Sequence, residues 1–275
     1  MKRLPHWEAF LFIFIKNIIL RFKIYDVMNN KISEIENDVQ NTNSKAWKKL
    51  CAYIDEVAES NIDEFSPIEV LGKELFSEIF TLPETIAKLK NVKKVWLYGS
   101  NLKRIPPEIG KMESLEYFDP YTSYNLHWFP YEITNCKNLK DSRVSTRVLY
   151  GNYKNRMNFP DLSHNPIRYN DGPVLCSICA KEMEYAQSNQ LWLSLKVGTD
   201  VLPLLANLCS KECEEKLPMP QDQYVEYAHK GGSGMQQPTY DWRKERVEVI
   251  LPLNAIENEH KAPKLLKFIR KIWAK

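Results

Sequence analysis

The sequence predicts an α+β protein in which a short array of repeated segments follows a helical segment and precedes a small metal-binding module. Two observations support this architecture: one phrase recurs three times along the chain, and four of the six cysteines form two close pairs. The composition agrees, since 44% hydrophobic and 27% charged residues are ordinary for a globular protein. The net charge of +3 gives no argument for nucleic acid by itself.

The three similar segments share one pattern of apolar positions. They begin at Leu82, Ile105 and Phe129, 23 and then 24 residues apart, and each continues with a proline and with an isoleucine four residues from its start. Self-similarity at such a period is typical of a solenoid, in which successive repeats stack and bury a continuous core. The sequence therefore predicts a repeat array over residues 82–162, with Phe-Pro-Asp-Leu at 159–162 as the start of an incomplete fourth repeat.

The strand of each repeat fixes the predicted register. The expected core positions are Val95, Leu97 and Leu102 in the first repeat, Phe118 in the second, and Ser142, Val144 and Leu149 in the third. Pro120 stands where a core leucine belongs in the second repeat. Because proline cannot donate to a sheet, we expect that strand to be distorted or to end early.

The pattern LPxxIxxLxxLxxLxL resembles the leucine-rich repeat of the 23-residue class found in intracellular bacterial and plant proteins. Phrases such as Leu97-Tyr-Gly-Ser100 are also similar to uncharacterised bacterial members of that group. The resemblance implies a leucine-rich repeat solenoid with a curved binding surface, and it implies no reaction. The chain departs from the family pattern where the usual asparagine is replaced, by Ser100 in the first repeat and by Arg147 in the third.

The strand positions between the core residues are predicted to project from the concave face of the array. These six candidate ligand-binding residues are Trp96, Tyr98, Asp119, Tyr121, Arg143 and Ser145. Aromatic residues and arginine dominate the residues that contribute most to protein interfaces, so this face is a candidate binding surface. Packing of the aromatic rings beneath a neighbouring loop is the alternative, and the sequence leaves both open.

Residues 44–81 are predicted to form a helical cap on the first repeat. Ser44 is the candidate N-cap of a first amphipathic helix, and Ser66-Pro67-Ile68-Glu69 has the pattern of a capping box at the start of a second. A solenoid leaves the core of its first repeat open, so an amphipathic cap is physically required.

The paired cysteines have the spacing of a metal site. The expected ligands are Cys176, Cys179, Cys209 and Cys213, with 29 residues between the two pairs. A C-x-x-C turn lets two thiolates face one tetrahedral cation, so we expect a structural Zn²⁺ site within a module spanning residues 163–220. Alternating residues from Leu191 and a turn at Gly198-Thr-Asp200 predict a hairpin between the pairs. Ser210 is the candidate N-cap of a helix over residues 211–217.

The module resembles a treble-clef zinc finger, because a C-x-x-C turn is followed by a hairpin and then by Cys-Ser-x-x-Cys at the start of a helix. The usual role of that fold is structural or in protein interaction. A redox C-x-x-C and four core cysteines are the alternatives that stay open. The remaining cysteines, Cys51 and Cys136, fall on predicted apolar faces and are expected to be plain core residues.

The two ends of the chain carry separate predictions. Residues 1–43 form an N-terminal extension, whose apolar stretch at 9–20 is interpreted as an amphipathic cap, a weak signal anchor that contacts the membrane, or an artefactual extension upstream of a start at Met28. Lys16 interrupts that stretch, which is short for a spanning helix. Residues 221–275 are expected to be a Gly-rich linker and a basic helical tail. The cysteine spacing favours a reducing compartment, so a cytoplasmic location is expected.

No motif in the sequence predicts an enzyme, and no small-molecule substrate is expected. GxSxG, P-loop, GxGxxG and HExxH patterns are absent from the sequence. We therefore expect a non-catalytic scaffold that binds a protein or peptide through the concave face. The alternative is a nucleic-acid-binding protein that uses the zinc finger and a basic patch running from Arg143 to Arg156.

Overall fold

The structure is a computed structural model that describes residues 40–60, 62–169 and 173–241. It combines helices and strands, as expected for an α+β protein. All elements below belong to one compact unit that ends at Gln237, and a second unit is described only at residues 238–241. The predicted apolar stretch at 9–20 and the predicted basic helical tail lie outside the described residues. Within those residues, no helix is long and apolar enough to cross a membrane.

Two helices begin the described part of the chain, α1 (Lys45–Glu59) and α2 (Pro67–Phe76). Ser44 caps α1 as predicted, because its Oγ accepts a hydrogen bond from the Trp47 N–H at 3.1 Å. The predicted capping box of α2 is wrong, since the Ser66 side chain makes no capping hydrogen bond. The backbone N–H of Ser66 instead donates to the Tyr53 hydroxyl at 3.2 Å.

A parallel sheet gathers one short strand from each of the three similar segments. Its strands, in spatial order, are β1 (Glu64–Phe65), β2 (Lys94–Trp96), β3 (Tyr117–Asp119) and β5 (Asp141–Ser142). Val95 lies opposite Phe118, and Phe118 lies opposite Ser142, which confirms the predicted register at these positions. Strand β3 ends directly before Pro120, as predicted from the missing donor of proline.

Each similar segment also contains one 3-10 helix that follows its proline. These helices are Glu84–Lys88, Pro107–Lys111 and Tyr131–Asn135, and each buries one isoleucine. Gly110 is required where two of them touch, because a Cβ there would lie 2.4 Å from the Glu132 carbonyl oxygen. The same apolar positions of successive segments therefore meet in one core.

A hairpin completes the fold after the third segment. It consists of β8 (Asn189–Val197) and β9 (Asp200–Leu208), and β9 also pairs in parallel with β4 (Phe129–Pro130). One face of the hairpin joins the main core. The other face contributes to a second core of Trp128, Phe159, Leu162, Ile167, Trp192 and Leu205. The predicted fourth-repeat residues Phe159 and Leu162 thus contact the hairpin.

Candidate functional site

The first cysteine pair lies in a tight loop between two short strands, β6 (Val174–Leu175) and β7 (Glu182–Met183). The Cys176 N–H donates to the Lys181 carbonyl at 2.9 Å, and the Ala180 N–H donates to the Cys176 carbonyl at 2.8 Å. Ala180 has a φ of 57°, the left-handed conformation that turns the chain back into β7. These bonds close a loop that directs both sulfurs of the pair toward one point.

The second pair stands where β9 passes into a short helix, α3 (Lys211–Glu214). Cys209 follows β9 directly, and Cys213 lies within α3. The Ser210 Oγ accepts a hydrogen bond from the Cys213 N–H at 3.3 Å, so the predicted N-cap is confirmed. The helix itself ends at Glu214, three residues before the predicted end at 217.

The four cysteine sulfurs form one cluster that could hold a metal ion. They lie within 4.8 Å of one another, and Cys209 Sγ is 3.6 Å from both Cys179 Sγ and Cys213 Sγ. A metal bound tetrahedrally by thiolates at about 2.3 Å separates the sulfurs by roughly 3.8 Å, so this spacing fits such a site. Across the described ranges, no other group of three or more Cys, His, Asp or Glu side chains meets that requirement.

The cluster is electrostatically suited to a cation. Burial would raise the pKa of Cys176, but the backbone N–H groups of Cys179, Ile178 and Cys209 outweigh it and lower that pKa to about 6. Contact with Cys179, followed by burial, raises the pKa of Cys209 to about 12. Four thiols this close cannot all ionise by themselves because like charges repel, whereas a divalent cation stabilises every thiolate that it coordinates.

The two remaining cysteines lie outside this cluster. Cys136 is buried in the main core, and its thiol donates to the Ile109 carbonyl at 3.2 Å. Burial raises the pKa of Cys136 to about 12, which leaves its thiol protonated at neutral pH. Cys51 lies on α1, partly exposed, and burial is the main cause that raises its pKa.

The six predicted strand-face residues divide into two groups. Tyr98 and Tyr121 are 51% and 39% exposed, and the Arg143 side chain is 58% exposed. Their side chains form a row: the two tyrosine rings are 6.0 Å apart, and the Arg143 guanidinium lies 4.9 Å from the centre of the Tyr121 ring. We call Tyr98, Tyr121 and Arg143 the Tyr-Tyr-Arg row.

The other three residues hold neighbouring groups in place. Asp119 is only 2% exposed, and its carboxylate accepts from the Tyr121 N–H at 2.9 Å and lies 3.6 Å from Arg143. The Trp96 indole donates to the Glu64 carboxylate at 3.1 Å. The Ser145 hydroxyl accepts from the Thr122 N–H at 2.8 Å. The role of Glu64 could not be predicted from the sequence, because this residue lies before the first similar segment and carries no repeat signal.

Two arginines of the predicted basic patch, Arg143 and Arg156, contact other residues of the molecule. The Arg156 guanidinium donates to the Gly151 carbonyl at 3.0 Å and to the Gln223 carbonyl at 3.1 Å. Arg143 faces Asp119 and Tyr121 instead. Arg156 therefore joins distant parts of the chain, which favours a structural role for that side chain.

A hydrogen bond between Ser177 and Glu132 connects the first cysteine loop to the 3-10 helices. The Ser177 hydroxyl donates to Glu132 Oε1 at 2.7 Å and accepts from the Asn207 N–H at 2.9 Å. Burial raises the pKa of Glu132 to about 7, and the hydrogen bond from Ser177 opposes this shift. This contact could not be predicted from the repeat pattern, because Glu132 occupies the position of Thr85 and Glu108 in the preceding segments.

The comparisons with known proteins add no family to this description. No protein-family model matches the chain, and no curated protein is significantly similar to it in sequence.

Proposed function

We propose that this chain is a non-catalytic scaffold that binds a protein or peptide through the Tyr-Tyr-Arg row on the parallel sheet. In this proposal the three similar segments are leucine-rich repeats, and their sheet is the concave face of a short solenoid. The observation that carries the proposal is the exposure of two tyrosines and one arginine, side by side, in the loops that follow β2, β3 and β5.

The chemistry of the row suits an interface. Tyrosine and arginine bury large areas while offering hydroxyl and guanidinium groups for directed hydrogen bonds. Asp119 accepts from the backbone N–H of Tyr121 and lies 3.6 Å from the Arg143 guanidinium, so part of the order that binding needs is already present. A preorganised row of this kind favours an extended peptide segment with an acidic group opposite Arg143.

The proposed metal is structural Zn²⁺, held by the four-cysteine cluster. A site with four protein ligands has no open coordination position, so it supports folding rather than catalysis. The ion would join the β6–β7 loop to the end of β9, and β9 in turn pairs with β4 of the third segment. The proposed role of the module is to close the end of the array and to keep the sheet in shape.

A selection from a random peptide library tests the binding proposal. Peptides selected on the full chain are measured against the single variants Tyr98→Ala and Arg143→Ala, with Tyr227→Ala as a matched exposed tyrosine outside the row. We expect each row variant to weaken binding at least about tenfold, as for an interface residue that contributes above 1 kcal/mol. Tyr227→Ala is expected to bind as the wild type does.

Two outcomes would contradict the proposal. Selected peptides that bind the row variants and the wild type equally would remove the row as the binding surface. Binding of random RNA with a steep dependence on salt, in place of peptide binding, would favour the nucleic-acid alternative. A circular dichroism melt of each variant shows whether a loss of binding comes from unfolding.

A further inference from the structure

A pocket of about 300 Å³ lies between the 3-10 helices and the first cysteine loop, away from the Tyr-Tyr-Arg row. Its lining includes glutamates from each of the three similar segments: Glu84, Glu108 and Glu132. It also includes Tyr169 and apolar side chains such as Ile167 and Ile178. The lining is therefore amphipathic, with both acidic and apolar groups.

Two polar atoms of this pocket are buried without a hydrogen-bond partner in the described part of the chain. They are Glu132 Oε2 and the Tyr169 hydroxyl oxygen. The other Glu132 oxygen already accepts from Ser177, so only Oε2 is left for a ligand. An unpaired buried polar atom costs about 1–3 kcal/mol, and both atoms line one cavity, so a ligand with several donors could satisfy both.

Two arginines near the pocket make contacts with neighbouring residues. The Arg168 guanidinium lies over the Tyr185 ring at 4.1 Å from its centre, and a buried Arg104 donates to the Arg168 carbonyl at 3.3 Å. Lys111 also lines the pocket, but its attraction for Glu108 is outweighed by burial and by repulsion from Glu84. Burial also raises the pKa of Glu132, so its carboxylate gains from a cation placed at Oε2.

The lining suits an organic cation better than a metal ion. These three glutamates are not among the side-chain groups of the described residues that come close enough together to hold a metal. An ammonium or guanidinium group instead donates several hydrogen bonds over a wider spread, and its alkyl stem matches the apolar side chains of the lining. A volume of about 300 Å³ is at the lower limit for small-molecule pockets, which suits a ligand of a few heavy atoms.

We propose that this pocket binds a primary ammonium or guanidinium group on a short apolar stem, with Glu132 and Tyr169 as its hydrogen-bond acceptors. The site is distinct from the peptide-binding face proposed above and does not depend on it. The stem belongs either to a free alkylamine or to a lysine or arginine side chain of a peptide.

Isothermal titration calorimetry of the full chain tests this site with n-pentylamine, n-pentanol and a blocked Ala-Lys-Ala peptide. We expect n-pentylamine to bind at least about tenfold more tightly than n-pentanol, because the neutral alcohol cannot compensate the carboxylate charge. If the peptide binds more strongly than n-pentylamine, the ligand is a lysine or arginine side chain of a peptide. If n-pentylamine binds more strongly, the ligand is a free alkylamine.

Variants locate the site. Glu132→Gln keeps the acceptor for Ser177 but removes the charge, and we expect it to weaken amine binding at least about tenfold. Tyr169→Phe is a second, gentler variant with an expected loss of several-fold. Glu116→Gln, an exposed carboxylate paired with Lys140 at 2.8 Å, is the matched control and is expected to change nothing.

Four results would overturn the proposal. The first is equal binding of n-pentanol and n-pentylamine, and the second is unchanged amine binding by a folded Glu132→Gln or Tyr169→Phe variant. The third is a failure of both cationic probes to bind saturably. Binding of Mg²⁺ or Ca²⁺ alone that Glu132→Gln abolishes would identify a metal site and would also overturn the organic-cation assignment.

Discussion

The side chain of Thr199 forms hydrogen bonds with both the N–H and the carbonyl group of Ser142. Its hydroxyl donates to the Ser142 carbonyl at 2.6 Å and accepts from the Ser142 N–H at 3.2 Å. Ser142 belongs to β5, the last strand of the parallel sheet, so its outer edge has no neighbouring strand. The hairpin turn thus replaces the next strand, and it protects an edge that could otherwise pair with another chain.

Removal of the Thr199 hydroxyl is expected to destabilise the fold. Thr199→Val keeps the shape of the side chain but leaves two backbone groups of Ser142 without this partner. We expect the free energy of unfolding to fall by about 1–3 kcal/mol, as for unsatisfied buried groups. Urea denaturation followed by circular dichroism measures this change.

Thr85 provides a matched control with the opposite expectation. Its hydroxyl is buried and has no hydrogen-bond partner among the residues that the structure describes. Thr85→Val should therefore leave the free energy of unfolding unchanged or raise it. Equal losses in the two variants would show that the Thr199 hydroxyl contributes nothing specific to the edge of β5.

Removal of the proposed metal is expected to destabilise the elements that pack on the four-cysteine cluster. The four-cysteine cluster joins the main core through Cys176 and Cys213, so its loss affects β9 and the segments packed on it. A strong chelator should lower the thermal midpoint by at least about 5 °C. A loss of about 1 kcal/mol in the free energy of unfolding lowers the midpoint by roughly 2–4 °C in a domain of this length. Differential scanning calorimetry with metal analysis of the same sample measures both quantities.

Cysteine variants separate the cluster from the other thiols. Cys213→Ser should lose the bound metal, whereas Cys51→Ala, outside the cluster, should retain one ion per chain. A chelator-treated protein that melts unchanged, or metal retained in Cys213→Ser, would contradict the assignment.

Acid is expected to destabilise the fold through His229. This side chain is 6% exposed, its Nδ1 accepts from the Gly231 N–H at 3.1 Å, and burial lowers its pKa from 6.5 to about 4. The unfolded chain binds a proton near pH 6.5, but the folded chain resists it until about pH 4. The contribution of neutral His229 to the free energy of unfolding is thus fully present above pH 6.5. It falls by about 3 kcal/mol as the pH is lowered from 6.5 to 4.

Urea titrations at several pH values check this dependence. His229→Asn offers an acceptor for the Gly231 N–H without a titrating group, so its stability should fall less steeply over the same interval. A slope identical to that of the wild type would show that other groups cause the acid sensitivity.

The sequence predicted most of what depends on periodic apolar residues. The register Val95–Phe118–Ser142, the end of β3 before Pro120 and the hairpin between the cysteine pairs follow from patterns repeated along the chain. The cysteine cluster was predicted from the spacing of the two cysteine pairs, because thiolates that bind one ion must lie close together. These features depend on local rules that a single sequence expresses.

Contacts between distant residues could not be predicted in this way. Glu64 meets Trp96, Ser177 meets Glu132, and Thr199 meets Ser142, and none of these pairs shares a repeat or a motif. The capping box at Ser66 failed for the same reason: a tertiary contact with Tyr53 competes with the local pattern. The exposure of the six predicted strand-face residues could not be predicted either. Asp119, for example, is buried because of its position among neighbouring strands.

The most direct test of the binding proposal is hydrogen–deuterium exchange of the full chain with and without a selected peptide. We expect slower exchange on binding at residues 96–99, 119–122 and 143–145, the backbone that carries the Tyr-Tyr-Arg row. Slower exchange confined to other segments, with these three unchanged, would contradict the account.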